Sequence, residues 1–169
     1  MASPIESDQS LIFDIKLSTV VPASITGEDK VREFTAADLA VKLHHITTVH
    51  FFSPEAAAGL SVQDLKAPMF QWLQLYYPIS GRIRRHKAGG RPFVKCNDSG
   101  VRIVEAKCAT TVEKWLAAEG SHGRLVYRQP MLARDLGFTP LVILQVRTYA
   151  TSDHIPTNAC GLNYLFRNN

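Results

Sequence analysis

The stretches SVQDLKAPMFQWLQLYYPISGRIRR (61–85) and RPFVKCNDSGVRIVEA (91–106) decide the fold class, and the rest of the chain is read outward from them. Ser61 with Asp64 three residues on is a helix-start signal with Asp in the acidic position of a capping box. Val62, Leu65, Met69, Trp72, Leu73 and Tyr76 recur at three- and four-residue steps and form one apolar stripe. Pro68 predicts a kink or a late helix start, because an interior proline removes a helical hydrogen bond at a cost of about 3 kcal/mol. Pro78 ends the helix, and Ile79 to Arg85 is expected to be extended. Lys87-Ala88-Gly89-Gly90 is a hairpin turn by residue type. Pro92–Cys96 and Val101–Ala106 read as a second strand pair around Asn97-Asp98-Ser99-Gly100, where Gly100 can supply a positive φ. A helix packed on a sheet follows.

Upstream, Met1 to Ser10 reads as a disordered terminus. Ile12 to Val21 alternates as a strand ended by Pro22, and Thr26 to Lys30 is a turn. Thr35-Ala36-Ala37-Asp38 repeats the capping pattern before a short helical turn, and Ile46 to Phe52 is a β-branched, aromatic strand stopped by Ser53-Pro54. Downstream, Thr110 to Glu113 heads a short helix with Val112, Trp115 and Leu116 inward and Gly120 as its stop. Leu141-Val142-Ile143-Leu144 is apolar at every position, as a strand covered on both faces requires. The expected fold class is α/β in layers: a mixed β-sheet with flanking helices.

The chain has 169 residues, 46% apolar and 20% charged, a balance that suits a globular domain with a sizeable core. Mean hydropathy is −0.04. The longest apolar run, Pro140 to Val146, is too short to span a bilayer. MASPIESDQS carries Glu6 and Asp8 and no basic start, which argues against a secretory signal or transit peptide. Three cysteines (Cys96, Cys108, Cys160) without metal-type spacing point to a reduced intracellular compartment. The formal net charge of +4 favours anionic partners without singling out nucleic acid.

Each candidate site has a plainer explanation. Arg82, Arg84, Arg85, His86, Lys87, Arg91 and Lys95 could meet an anion such as the phosphates of coenzyme A, but read as a solvated hairpin tip with charges pointing outward. They lack the interleaved aromatics of a single-strand binder, so no nucleic-acid partner is expected. His44, His45 and His50 have no Cys or carboxylate at ligand spacing. Cys96, beside a turn, reads as a small buried hydrophobe. Trp72, Tyr76, Tyr77 and Trp115 read as core aromatics. Ser99-Gly100 lacks the strand-to-helix elbow of a hydrolase serine. His154 with Asn158 four residues on has no positioned partner for a general base. No catalytic, cofactor-binding or metal residue is assigned.

The sequence resembles the plant BAHD acyltransferase family, and within it the Eceriferum/Glossy-type subgroup linked to cuticular wax. The resemblance rests on LSTVVPASITGED (17–29), FTAADLAVKLHHITTVHFF (34–52), LYYPISGRIR (75–84), KCNDSGVRIVEA (95–106), TVEKWL (111–116) and FTPLVILQ (138–145), in the family's order. It implies the N-terminal half of a two-domain, chloramphenicol-acetyltransferase-like fold with an active-site channel between the domains. In the family a His-x-x-x-Asp motif supplies the general base that activates a hydroxyl or amine acceptor toward an acyl-CoA thioester, and an Asp-Phe-Gly-Trp-Gly motif is structural. Neither motif occurs in these residues. Aligned on the preceding strand, the family's His falls near Leu162, with no Asp after it.

The expected organisation is a disordered 1–10, an incomplete BAHD-type N-terminal domain at 11–145, and an atypical tail at 146–169. Valine codons begin with GT, as most introns do, so the break at Gln145-Val146 suggests a tail derived from an intron or an altered frame. Three functions stay open. The first is acyl transfer from acyl-CoA to a hydroxyl or amine. The second, implied by the subgroup, is a non-catalytic partner of a fatty-acid condensing enzyme, promoting very-long-chain fatty-acid elongation for wax. The third is a non-functional or regulatory fragment. The resemblance implies a cytoplasmic protein associated with the endoplasmic reticulum, without a transmembrane segment or a covalently bound cofactor, and with acyl-CoA as co-substrate of the full-length family.

Overall fold

A computed structural model describes residues 11–27, 29–40, 44–86, 90–117, 137–150 and 162–168. In chain order the elements are β1 (Ile12–Val20), β2 (Val31–Glu33), α1 (Ala36–Ala40), β3 (His44–His50), α2 (Pro54–Ala57), α3 (Val62–Leu75), β4 (Arg82–Arg85), β5 (Pro92–Lys95), β6 (Val101–Cys108), α4 (Val112–Ala117), β7 (Ile143–Tyr149) and β8 (Leu162–Asn168). They build a five-stranded sheet in the order β1-β6-β7-β8-β3 and a three-stranded sheet in the order β2-β5-β4. Among the described residues only β6 and β7 pair in parallel; the other pairs are antiparallel. A parallel pair needs a long crossover, and α4 lies on it.

β6 and β7 form the buried centre. On β7 only Thr148 is less than fully buried, which matches the two-face coverage expected from its apolar start. The strand runs across Gln145 and Val146 to Tyr149 without interruption. Strand alternation sends its side chains, and those of β6, to two cores. Val101 and Ile103 on β6 and Leu144 on β7 join Val20, Val142 and Leu73 of α3, with Val62, Met69, Ile79 and Leu141 at the margin. Cys108 and Tyr149, each five residues further along its strand and so on the opposite face, pack with Trp115 of α4. α3 and α4 thus cover opposite faces of one sheet. Lys66 Nζ, 2.9 Å from Glu105 Oε1, pins α3 over β6.

The helix starts obey local hydrogen bonding. Ser61 Oγ accepts from Asp64 N at 3.2 Å, and Asp64 Oδ2 accepts from Ser61 N at 2.8 Å. Thr35 and Asp38 repeat this reciprocal box at α1. At α4 the cap lies one residue later than expected. Thr111 Oγ1 accepts from Lys114 N at 3.3 Å, while the Thr110 carbonyl is taken by Ala150 N at the end of β7. Pro68 neither delays nor divides α3, which runs from its Ser61 cap to Leu75.

Three expectations from the organising stretch need correction. Residues Tyr77–Ser80 form a 3-10 turn rather than an extended run, because Ile79 N bonds to Tyr76 O and Gly81 N to Pro78 O; the strand begins only at Arg82. Asn97–Gly100 does not close a strand pair, since β5 and β6 belong to different sheets. Its backbone does turn as expected, with Asp98 at φ 51° and Gly100 at φ 79°. The apolar stripe of α3 is also narrower than its sequence suggests. Val62, Met69 and Leu73 face the sheet, whereas Trp72 and Tyr76 are exposed and stack on each other at 4.7 Å between ring centroids. Trp72 lies one residue, about 100° of helix, away from Leu73. The features expected at Met1–Ser10, Lys87–Gly89, Gly120 and His154–Asn158 lie outside the described residues.

Two substitutions test this packing by urea denaturation. Leu73→Ala should cost about 3 kcal/mol, whereas Leu75→Ala, two residues on and exposed, should stay within about 0.5 kcal/mol. Equal losses would contradict the orientation of α3. Gly100→Ala should cost about 2–4 kcal/mol, since its Cβ would meet Thr19 Cγ2 and Val20 O at 2.5 Å in a left-handed backbone. A loss under about 1 kcal/mol would contradict that close approach.

Candidate functional site

The densest cluster of candidate chemistry is the basic run on β4 and β5, and the structure divides it. Arg82 is buried, with 5% of its surface exposed. Its Nη1 donates to Gly81 O at 2.8 Å and Gly100 O at 2.9 Å, and its Nη2 donates to Ser99 O at 3.0 Å. Burial, with smaller contributions from the Arg102 and Arg84 charges, lowers its pKa to about 10, so it remains a cation at neutral pH. Arg84 also turns inward, donating from Nη1 to Gly137 O. These two arginines correct the picture of a solvated hairpin tip. The planar fork of donors finds carbonyl oxygens offered by two turns, and those bonds offset its desolvation. Arg85, His86, Arg91 and Lys95 are exposed, and Lys87 lies outside the described residues. His86 stacks on Phe93 at 4.5 Å between centroids, with Nε2 3.8 Å from Glu33 Oε1.

A second cluster gathers where the parallel strands β6 and β7 end. Arg147 Cζ lies 5.3 Å from the Trp115 ring centroid, and Tyr149 meets the same ring edge-on at 6.3 Å. Phe51 lies 6.5 Å from Tyr149. Burial pushes the Tyr149 phenol up from its ordinary value, and the Arg147 charge opposes this. Sequence reasoning missed Arg147 and Tyr149, which lie past Gln145 in the segment set apart as a tail. No sequence signal marks them: the parallel register, which only the fold reveals, places Arg147 beside Ala106 and Tyr149 beside Cys108. The arrangement packs a cation and a phenol against an indole; it brings no nucleophile together with a base.

The remaining candidates are dispersed. Cys96 is fully buried, and burial together with Asp98 raises its thiol pKa, which disfavours the reactive thiolate. Asp98 accepts from Thr26 N at 2.8 Å and Thr26 Oγ1 at 2.6 Å, fixing the turn that carries Ser99. His44 and His50 stand at opposite ends of β3, about 20 Å apart at the usual strand rise. Among the described residues no group of three or more His, Cys, Asp or Glu could hold a metal ion. Tyr77 is half-buried with Lys30 Nζ 5.0 Å from its ring centroid, and Trp115 is in the core, unlike Trp72 and Tyr76. No helix among the described residues is long and apolar enough to cross a membrane.

Comparison with known proteins places this framework. A family profile described as the Transferase family matches residues 13–149. Protein ECERIFERUM 2 of Arabidopsis thaliana is 43% identical over 153 residues, covering 83% of this chain and 36% of that protein. Protein ECERIFERUM 26-like of the same plant is 39% identical, covering 86% of this chain and 34% of that protein. Putrescine hydroxycinnamoyltransferase 1 of Oryza sativa subsp. japonica is 32% identical over 59% of this chain and 23% of that protein. The crystal structure of vinorine synthase superposes with a TM-score of 0.71 at 17% identity, covering 92% of this chain and 37% of that one, and shows the chloramphenicol-acetyltransferase-like fold. The chain spans about a third of the length of the Eceriferum relatives it matches. It belongs to the BAHD acyltransferase family, near the Eceriferum group.

Proposed function

We propose that this chain is the first-domain framework of an Eceriferum-type protein that promotes very-long-chain fatty-acid elongation for cuticular wax, acting with a fatty-acid condensing enzyme and without an acyl transfer of its own. One observation carries the reading. The Eceriferum relatives match at 37–43% identity over 83–86% of the chain, whereas the rice hydroxycinnamoyltransferase reaches 32% over 59%. The chemistry of the residues agrees. Acyl transfer needs a base within hydrogen-bond reach of the acceptor, and neither buried cluster supplies one.

The second reading, acyl transfer from acyl-CoA to an amine or hydroxyl, draws on the match to the rice enzyme. In that reaction a base takes the acceptor's proton, the acceptor forms a bond to the thioester carbonyl carbon, and coenzyme A leaves as its thiol.

Co-expression in yeast with a fatty-acid condensing enzyme separates the two readings. The chain, extended to the length of its relatives, should shift the acyl profile toward longer chains. The purified 169-residue chain should consume no acyl-CoA thioester above a boiled control when given putrescine or a fatty alcohol. An unchanged acyl profile with the extended form would overturn the elongation reading. Thioester loss matched by amide or ester formation would establish the second one.

A further inference from the structure

One face of β7 buries polar side chains. Leu144, Val146 and Thr148 alternate toward α3, and Gln145, Arg147 and Tyr149 alternate toward α4. Each of the second three is at most 3% exposed, although a strand covered on both faces ordinarily carries apolar residues there. At the Tyr149 end of this row Trp115 meets the phenol ring edge-on, and the Arg147 guanidinium lies over the indole. The indole Nε1 and the Tyr149 hydroxyl are buried and have no hydrogen-bond partner, whereas Gln145 and Arg147 have contacts of their own. A buried donor left unpaired is costly, so two in one cluster call for an acceptor. Burial pushes the Tyr149 phenol up from its ordinary value, against the Arg147 charge, so at neutral pH it keeps the proton it has to donate.

We infer that this cluster is a binding site for a carboxylate group, which accepts from the Trp115 N–H and the Tyr149 O–H beside the positive charge of Arg147. The balance of donors and acceptors decides the ligand. An indole and a guanidinium only donate, and the described side chains packed around the rings, Leu11, Ile12, Val49, Val112 and Cys108, offer no oxygen acceptor. A water accepting from both donors would bring two protons of its own into the same surroundings, where they too need acceptors. A carboxylate brings no proton and accepts from several donors at once. Hydrogen bonds to it are about twice as strong as those to a neutral acceptor, and the guanidinium carbon, 5.3 Å from the indole centroid, favours a ligand of negative charge. The site lies inside the domain and is independent of the elongation reading, so either can fail alone.

The test uses the 169-residue chain with Trp72→Phe, which leaves Trp115 as the only one of the two tryptophans. The nitrogen-15 resonance of its indole N–H is followed during titration with acetate and with octanoate, and with acetamide and octanamide as their neutral counterparts. At least one of the carboxylates should shift the resonance saturably, and the matching amide should not. Tyr149→Phe, which removes only the hydroxyl, should weaken that binding about fivefold to tenfold. Arg147→Gln should weaken it about tenfold or more. A resonance that neither carboxylate moves would overturn the inference, and a cross-peak to a bound water that persists at the highest carboxylate concentration would assign the donors to water instead. Equal binding of acid and amide, or binding that Tyr149→Phe leaves intact, would overturn it too.

Discussion

The guanidinium of Arg82 holds together parts of the chain that no strand pairing joins. It sits between the 3-10 turn that follows α3 and the turn that precedes β6, and it bonds to carbonyls of both. Gly100 N closes the same junction by donating to Ser80 O at 2.9 Å. On one side of the junction is the small sheet of β4, β5 and β2; on the other is β6, the centre of the large sheet. Space there is already taken: a Cβ on Gly81 would meet Lys95 O and Val94 Cγ1 at 2.5 Å. Burying a cation costs several kcal/mol unless its donors are satisfied, so a shift of either turn would leave a charge partly unpaired. The Arg82 bonds therefore specify how the two sheets meet.

Strands, caps and turn residues were legible because their causes are local. Ser61 and Asp64 are three residues apart, and their reciprocal bonds need nothing from the rest of the molecule. The β7 segment showed its two-sided burial in an unbroken apolar run. Features that depend on distant partners were not legible. Arg82 and Arg84 read as solvated because most arginines are, and the carbonyls that draw them inward belong to Gly100, Ser99 and Gly137. Asn97–Gly100 looked like the turn of a strand pair because its residues suit one, yet its φ values steer the chain from one sheet into another. On α3, composition could not separate the Leu73 face from the Trp72 face, since both are apolar.

The same contrast bears on function. Of the two buried clusters, the one around Arg82 is bonded to backbone carbonyls, and the one around Arg147, Trp115 and Tyr149 is packed with the guanidinium over the indole and the rings edge to face. They give the domain rigidity and a fixed inter-sheet geometry, and they leave no poised acid or base. Family membership comes from this framework, which the Eceriferum relatives share over most of the chain. α3 is anchored on the sheet by Leu73 and by the Lys66–Glu105 pair, which fixes the orientation of the helix over the framework.

Amide hydrogen exchange in Arg82→Met and Arg82→Lys tests the central claim most directly. Both variants keep an aliphatic stem, and neither has the guanidinium fork that reaches two turns at once. Loss of protection should be confined to the junction, at Gly100 N and at Cys96 N, which bonds to Lys30 O at 3.0 Å. Ala150 N, bonded to Cys108 O at the far end of the large sheet, should keep its protection. Unchanged protection at Gly100 in both variants would contradict the account, because the two sheets would then be held together without Arg82.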